Sequence, residues 1–518
     1  MNRETVLTKI KSAGFWDVIV IGGGATGLGI ALEACTRGYS TLLVEQSDFA
    51  KSSSSKSTKL VHGGVRYLAQ GNIGLVREAS VERGILSKNA PHLVKNQTFI
   101  IPVYSWWSRL KYTAGLKLYD WISGRLSLGS SVFISRNKVL ENLPGIIPKN
   151  LFGGILYHDG QFDDARLAIN LAQTIFDNGG YAVNYMKVDS LLKNGEKLLG
   201  VMATDMETGE QFTLRSAVVI NATGVFVDDI LKMDNPATKK NIAVSQGIHI
   251  VLDKKFFPGE DALMIPETSD GRVLFIVPWH DRLLVGTTDT PVENASLEPV
   301  ALASEIEFIL LTAASYLTRK PGRKDLLSVF AGLRPLAASK EKGNMTKEIS
   351  RSHKIIVSSS KLFTIIGGKW TTYRKMGEDM IDKVEKEFGL KQTVSRTSSL
   401  PIHGSVDGEN GGDPLYYYGS DKVGLNKIMT QTGGGWISEK MNVHKAQVLW
   451  AVKEEMARTT EDVLSRRTRT LLLDAKESLR IAPLVAAIMA EEMNRSGEWV
   501  EEQVKSYNEV AKNYVIDS

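Results

Sequence analysis

The chain has 518 residues, 43% apolar and 23% charged, which excludes a largely disordered, fibrous or membrane-embedded protein and points to two or three domains. Its formal charge of +5, from 63 Lys and Arg against 58 Asp and Glu, is too slight over this length for a dedicated nucleic-acid binder. The one cysteine, Cys35, excludes an internal disulfide and a cysteine-based metal site, and fits a reducing compartment.

Residues 1–15 are polar, carry Lys9 and Lys11, and make a poor secretory signal. No stretch reaches the ~20 apolar residues that span a bilayer, so any membrane contact is expected to be peripheral. Asp17-Val-Ile-Val-Ile21 reads as a buried parallel strand, followed by Gly22-Gly-Gly-Ala-Thr-Gly27. Leu28 to Arg37 has helical spacing and stops at Gly38, and Thr41 to Val44 is a second strand ending in Glu45. This is a complete βαβ unit with the dinucleotide fingerprint in register. Gly22 serves the tight turn, Gly24 the approach of a pyrophosphate, and Gly27 the packing of helix on strand. The helix N-terminus supplies free N–H groups for phosphate, and Glu45 would accept hydrogen bonds from an adenosine ribose.

Asn72 is expected to cap a helix ending before Pro91, and Asp163 or Asp164 another that stops at Asn178-Gly179-Gly180. Ala217 to Ile220 and Leu362 to Ile366 are further buried strands, leading into Asn221-Ala-Thr-Gly224 and Gly367-Gly368. In a parallel sheet three such strand-to-glycine junctions face the ligand crevice. Between them, residues 272–279 and 282–288 read as a hairpin about His280-Asp281. Residues 248–252 alternate like a half-buried antiparallel strand, so a substrate-binding sheet is expected inside the nucleotide fold. Residues 386–420 read as a linker, and the chain from Met441 onward as helical.

The densest chemistry is in Ser52-Ser-Ser-Ser-Lys-Ser-Thr-Lys-Leu-Val-His-Gly-Gly-Val-Arg-Tyr67, where hydroxyls follow the ribose-binding acid. Here the sequence resembles the FAD-dependent, membrane-associated glycerol-3-phosphate dehydrogenases. The resemblance is carried by residues 21–27, Lys59 to Tyr67, Asp163-Asp-Ala-Arg-Leu167, Asn221 to Gly224, Gly286-Thr-Thr-Asp289, Ala331-Gly-Leu-Arg-Pro335 and Gly367-Gly-Lys-Trp-Thr-Thr-Tyr-Arg-Lys375. The C-terminal region resembles the family's cap domain through Ser465-Arg-Arg-Thr-Arg469. Two departures stand out: Val225 where the family often has proline, and Gln246-Gly-Ile-His249 where it often has Lys-Gly-Ser-His.

The resemblance implies an α/β fold: an FAD-binding Rossmann-like domain, an inserted antiparallel substrate sheet and a C-terminal helical domain. The boundaries would be 14–400 for the oxidoreductase region and 420–518 for the helical one. Within the first, 14–100, 155–235 and 345–390 would bind FAD and 236–345 would form the sheet. It implies oxidation of sn-glycerol 3-phosphate to dihydroxyacetone phosphate, with electrons passed to quinone and no metal. Arg66, Tyr67, His249, Arg334, Arg351 and Lys369 would surround the substrate, with His249, Arg334 and Lys369 catalytic. FAD would meet Gly22, Gly24, Gly27, Glu45, Ser53, Ser54, Ser57, Thr58, Lys59, Leu60, Ala222, Thr223, Gly224, Gly368, Lys369 and Thr371. The implied place is the cytoplasmic face of the cell membrane, with a homodimer left open.

Elementary chemistry points the same way. A phosphate suits the guanidinium fork of arginine, and Pro335 holds Arg334 extended. An alcohol oxidation needs a proton acceptor, for which His249 leads because its ordinary pKa of ~6.5 suits the task. Lys369, at the Gly-Gly turn, would place positive charge near a reduced flavin. Residues 103–125 mix Tyr104, Trp106, Trp107, Tyr112, Tyr119 and Trp121 with Arg109, Lys111, Lys117 and Arg125. Such a helix fits either an interfacial anchor or a core helix with a solvated basic side. Arg466, Arg467 and Arg469 read as a solvated or subunit-contact face. Two rival functions are an oxidase that reduces O2 to H2O2 at the same site, and a flavin-containing RNA-binding protein using those C-terminal arginines.

Overall fold

The computed structural model describes residues 1–64, 72–123, 128–269, 271–338, 353–407 and 412–516. The strand Trp16–Ile21, apolar on both faces, sits at the centre of an eight-stranded sheet, flanked in parallel by Thr41–Val44 and Gln211–Asn221. Leu362–Ile366 continues the parallel set beyond Gln211–Asn221, and Tyr181–Val183 beyond Thr41–Val44. The strands that end at Gly22, Asn221 and Gly367 are therefore neighbours, and the three junctions line up along one sheet edge.

The helix Ala25–Thr36 covers this sheet between the helices Asp164–Asp177 and Tyr373–Glu387. Its contact with the latter is backbone-close: a Cβ on Gly29 would lie 2.7 Å from the Tyr373 carbonyl, and one on Gly377 2.6 Å from that of Gly29. The expected caps are present, Asn72 accepting from Leu75 N–H and Asp163 from Arg166 N–H. The polar N-terminus forms the helix Arg3–Ser12, seated through Val6, Ile10 and a buried Arg3–Asp205 ion pair.

Among the described residues the second sheet has ten strands, and it draws on more of the chain than residues 236–345. Val94–Val103 and Gly153–Phe162 join it beside Ala262–Ile265, so the chain enters this layer both before and after the nucleotide-binding strand Gln211–Asn221. The hairpin Leu274–Trp279/Arg282–Gly286 turns at His280 and Asp281, both with positive φ. Ile242–Asp253 is not half-buried as expected. Ile248, Ile250 and Leu252 pack beneath the helix Ala303–Tyr316 on one face, while His249 faces the cavity and Val251 meets the C-terminal helices on the other. Residues 388–407 are more than a linker, since Ser395 and Thr397 bond to Glu33 and His403 to Asp177 and Asp421. Helices Lys445–Glu454, Ala475–Met493 and Gly497–Ala511 build the C-terminal domain, with an earlier helix, Lys422–Thr432, ahead of Met441.

Candidate active site

A cavity of about 730 Å³ runs from the three glycine junctions to the face of the second sheet, within the size range of ligand pockets. Gly22, at φ +113°, leaves no room for a side chain: a Cβ there would stand 2.7 Å from the Ala222 carbonyl oxygen. Gly22, Gly24, Ala25 and Thr26 present the start of the Ala25–Thr36 helix to the cavity, so its first-turn N–H groups and positive end suit a pyrophosphate. Gly27 does not line the cavity. A Cβ on it would fall 1.8 Å from the Gly22 carbonyl oxygen, so its lack of one lets the helix close on the strand.

Glu45 accepts from Gly23 N–H at 2.6 Å through one carboxylate oxygen and from Ser47 N–H at 2.8 Å through the other. Burial pushes its pKa up and those two N–H groups oppose the rise. Each oxygen keeps further acceptor capacity on the cavity wall, as a ribose diol requires. Ser54 Oγ accepts Ala25 N–H at 3.0 Å, and the Ser54 carbonyl accepts the Trp370 indole N–H at 2.8 Å. The serine segment is thereby tied to both the first and third junctions. Ser53, Ser57, Thr58, Leu60, Ala222, Thr223, Gly224, Gly368, Lys369 and Thr371 all line the cavity, and so does Val225, the residue that replaces the frequent proline. This wall fits a flavin dinucleotide.

Lys59 departs from its expected place in this segment. It does not line the cavity but is fully buried, its ammonium 2.7 Å from both Asp164 Oδ1 and the Ser55 carbonyl. A low-dielectric site makes that ion pair the partner its charge requires. Asp164 also takes the Ser57 hydroxyl at 2.6 Å and its N–H at 3.1 Å. The double acid Asp163-Asp164, expected as a helix cap and as part of a family motif, thus has two tasks. Asp163 starts the helix and pairs with Arg469 at 3.0 Å, while Asp164 anchors residues 57–59.

On the second sheet, cross-strand register brings His249 opposite Phe330 and Ser245 opposite Arg334, all on one face. His249 is 2% exposed, stacks on Phe330 with centroids 5.1 Å apart, and meets the Thr58 hydroxyl through Nε2 at 3.0 Å. Its Nδ1 has no hydrogen-bond partner among the described residues. Burial, then the Arg334 guanidinium and the Lys59 ammonium, hold its pKa well below the usual histidine range, so the ring is neutral at physiological pH. The departing residues around it point away. Gln246 donates to Glu305 at 2.8 Å and to the Val300 carbonyl at 3.0 Å, and Ile248 is core, so neither alters the His249 face.

Arg334 Nη2 donates to the Thr287 hydroxyl and the Thr288 carbonyl, each at 3.0 Å, and Nη1 stands 3.4 Å from Asp289. Its guanidinium lies across Gly247, where a Cβ would come within 2.2 Å of Nη2. Thr287 and Asp289 were legible as a motif but had no assigned task; they orient Arg334. Phe99, Tyr157, Met264 and Phe275 form an apolar end of the cavity that periodicity alone did not reveal. Arg66, Tyr67 and Arg351 lie outside the described residues.

Arg466, Arg467 and Arg469 are not a solvated or subunit-contact face. All are buried, ion-paired to Asp48, Glu461, Asp462 and Asp163, and Arg469 also stacks over Tyr417 at 3.9 Å. They offer no surface to RNA.

Residues 17–373 match the FAD dependent oxidoreductase family, and residues 359–500 match the C-terminal domain of alpha-glycerophosphate oxidase. The chain is 38% identical to the mitochondrial glycerol-3-phosphate dehydrogenase of Bos taurus, over 98% of this chain and 74% of the bovine one. It is 34% identical to that of Schizosaccharomyces pombe, over 99% of this chain and 89% of the yeast one. The structure of the glycerol-3-phosphate dehydrogenase from Bacillus halodurans complexed with FAD superposes with a TM-score of 0.81 at 28% identity, covering 99% of this chain and 98% of that one. An FAD-bound L-alpha-glycerophosphate oxidase from Mycoplasma pneumoniae shares the fold, with a TM-score of 0.57 at 16% identity over 74% of this chain and 97% of its own. With the glycine cradle, the ribose acid and these likenesses in agreement, the chain is an FAD-binding protein and belongs to the FAD dependent oxidoreductase family, among the FAD-linked glycerol-3-phosphate dehydrogenases.

Proposed function

We propose that this protein oxidises sn-glycerol 3-phosphate to dihydroxyacetone phosphate and passes the electrons to a quinone. The observation that carries the reading is the pairing, on one cavity face, of a neutral buried imidazole with an anchored guanidinium, at His249 and Arg334. Arg334 attracts the substrate phosphate through its guanidinium charge, and Thr287, Asp289 and two carbonyls fix that group before the substrate arrives. His249 takes the proton of the C2 hydroxyl as the C2–H bond breaks and the carbonyl forms. Bound FAD supplies the acceptor for the C2 hydride. Lys369 follows two glycines with positive φ and lines the cavity, where its charge would favour electron transfer into a bound flavin. The phenyl and thioether side chains at the apolar end keep water from the reacting bond.

Contact with lipid is assigned to the helix Trp106–Ser123, on which Trp107 is 81% exposed and Trp106 58%. No helix among the described residues is long and apolar enough to cross a membrane. The decisive experiment is the visible spectrum of purified holoenzyme, without oxygen, before and after addition of sn-glycerol 3-phosphate. Flavin bleaching is expected; an unchanged spectrum overturns the substrate assignment. Stopped-flow reoxidation then separates acceptors, because fast peroxide formation with oxygen and indifference to quinone would make the enzyme an oxidase.

A further inference from the structure

We propose that the C-terminal helical domain positions the FAD-binding segment 46–58, through a buried ion cluster in which Arg466 and Arg467 converge on Asp48. The inference rests on the flavin site alone and not on the roles given to His249 or Arg334. Segment 46–58 supplies much of the cavity wall, including Gln46, Lys51 and Ser52 to Ser54. Its only regular structure is the single turn Ser53–Ser55, so no strand ladder sets its path; two backbone bonds, Ala50 N–H to the Gly23 carbonyl and Tyr185 N–H to the Ser47 carbonyl, are joined by side-chain anchors.

Those anchors come from the C-terminal domain at two points. Asp48, 0% exposed, accepts from Arg466 Nε and from both terminal nitrogens of Arg467, the longer of the latter at 2.9 Å, with Asn184 adding a bond at 3.2 Å. Three residues on, Lys51 reaches Glu461 at 2.6 Å, and Glu461 accepts from Arg466 at 2.8 Å. One network therefore grips the segment at residues 48 and 51 and returns through Arg466. The far end is held independently by Asp164 through Ser57 and Lys59.

A buried cluster of this kind stabilises little relative to apolar packing, but removing one partner strands an unpaired charge, so it fixes geometry strongly. The geometry at stake is the distance between Glu45, which precedes Asp48 by three residues, and the Ser54 hydroxyl that receives Ala25 N–H. These two residues stand at opposite ends of the stretch that the cluster holds. Arg466, Arg467 and Glu461 are thus positioning residues for the cofactor, although none of them lines the cavity.

The test measures FAD release from the oxidised holoenzyme by the recovery of flavin fluorescence on dilution. Arg467→Met and Glu461→Gln are compared with Tyr507→Phe, which removes the buried Ser478 contact inside the C-terminal core and leaves the bonds of Asp48, Lys51 and Glu461 in place. All are held below their melting temperatures, as followed by circular dichroism. Release at least ten-fold faster in both cluster variants, wild-type release in Tyr507→Phe, and partial recovery in Arg467→Lys are expected. Should Arg467→Met fail to fold, Glu461→Gln decides, since Glu461 sits at the more exposed rim of the cluster. Wild-type release in the cluster variants, or equal acceleration in Tyr507→Phe, overturns the proposal. Because no substrate is added, failure of the glycerol 3-phosphate reading leaves this outcome unaffected.

Discussion

The imidazole of His249 and the hydroxyl of Thr58 meet at 3.0 Å, joining the serine-rich segment to the substrate sheet. Thr58 is not free to drift, because its neighbours Ser57 and Lys59 are both bonded to Asp164. The nucleotide-binding layer thus sets the orientation of a residue carried by the substrate sheet. Since burial, Arg334 and Lys59 depress the His249 pKa, the neutral, proton-accepting form persists below the ordinary ~6.5. The acid limb of kcat/KM for flavin reduction is expected well under that value. His249→Ala should slow reduction by about 10²- to 10⁴-fold while FAD stays bound. Thr58→Val should slow it by about ten-fold, the cost of an unpartnered ring nitrogen. An acid limb at or above 6.5, or unchanged reduction in His249→Ala, would remove the histidine from the proton transfer.

Arg334 offers a separate handle. If its guanidinium holds the phosphate, Arg334→Ala should raise KM for sn-glycerol 3-phosphate by roughly ten- to hundred-fold, the worth of an interaction with a charged group. Turnover of unphosphorylated glycerol should change little. Gly247→Ala makes the same point through space, since the new methyl group would displace the guanidinium from its present seat. Equal losses for glycerol and its phosphate would place Arg334 in support of the fold instead.

The nucleotide half of this site could be read in the sequence because its rules are local. Strand, glycines, helix and acid follow one another within thirty residues, and each residue's task depends on its immediate neighbours. The substrate half depends on register. Nothing near His249 announces that Thr58 lies beside it, 191 positions away, or that Phe330 stacks on its ring. Charge misled for a related reason: Arg466, Arg467 and Arg469 form a basic run in one dimension, and beside the local acids Glu461 and Asp462 they are neutralised by Asp48 and Asp163, from far along the chain. Lys59 was misplaced in the same way, since its partner Asp164 is 105 positions off.

The junction near residue 400 carries its own pH dependence. Burial disfavours a charged ring at His403, but the carboxylates of Asp177 and Asp421, at 2.7 and 3.1 Å, outweigh it and raise the pKa to about 9. With the folded value above the unfolded one, this stabilisation is complete below pH ~6.5 and is lost as pH rises through about 9. Its size is about 1–3 kcal/mol after allowance for the ring's partial exposure. Denaturant melts of wild type and His403→Gln should diverge at pH 6 and converge near pH 10. Parallel curves across that range would show that the two ion pairs contribute nothing.

The helix Trp106–Ser123 tests the membrane assignment most directly. Its inner side is committed to the fold, with Leu116 and Tyr119 each 2% exposed and Tyr119 bonded to Arg83 at 2.8 Å. Its outer side carries Trp106, Trp107, Leu110 and Leu118 exposed, and the Arg109 guanidinium lies 4.0 Å from the Phe133 ring centre. An indole pair at one end of a helix with basic residues nearby is suited to the lipid headgroup region, where an apolar body and a polar edge are both satisfied. Trp106→Ser with Trp107→Ser should therefore release the protein from vesicles containing anionic lipid, at least ten-fold by sedimentation. Turnover with a soluble dye acceptor should remain at the wild-type rate, because neither indole lines the cavity. Vesicle binding that survives the double substitution would move the anchor to another face.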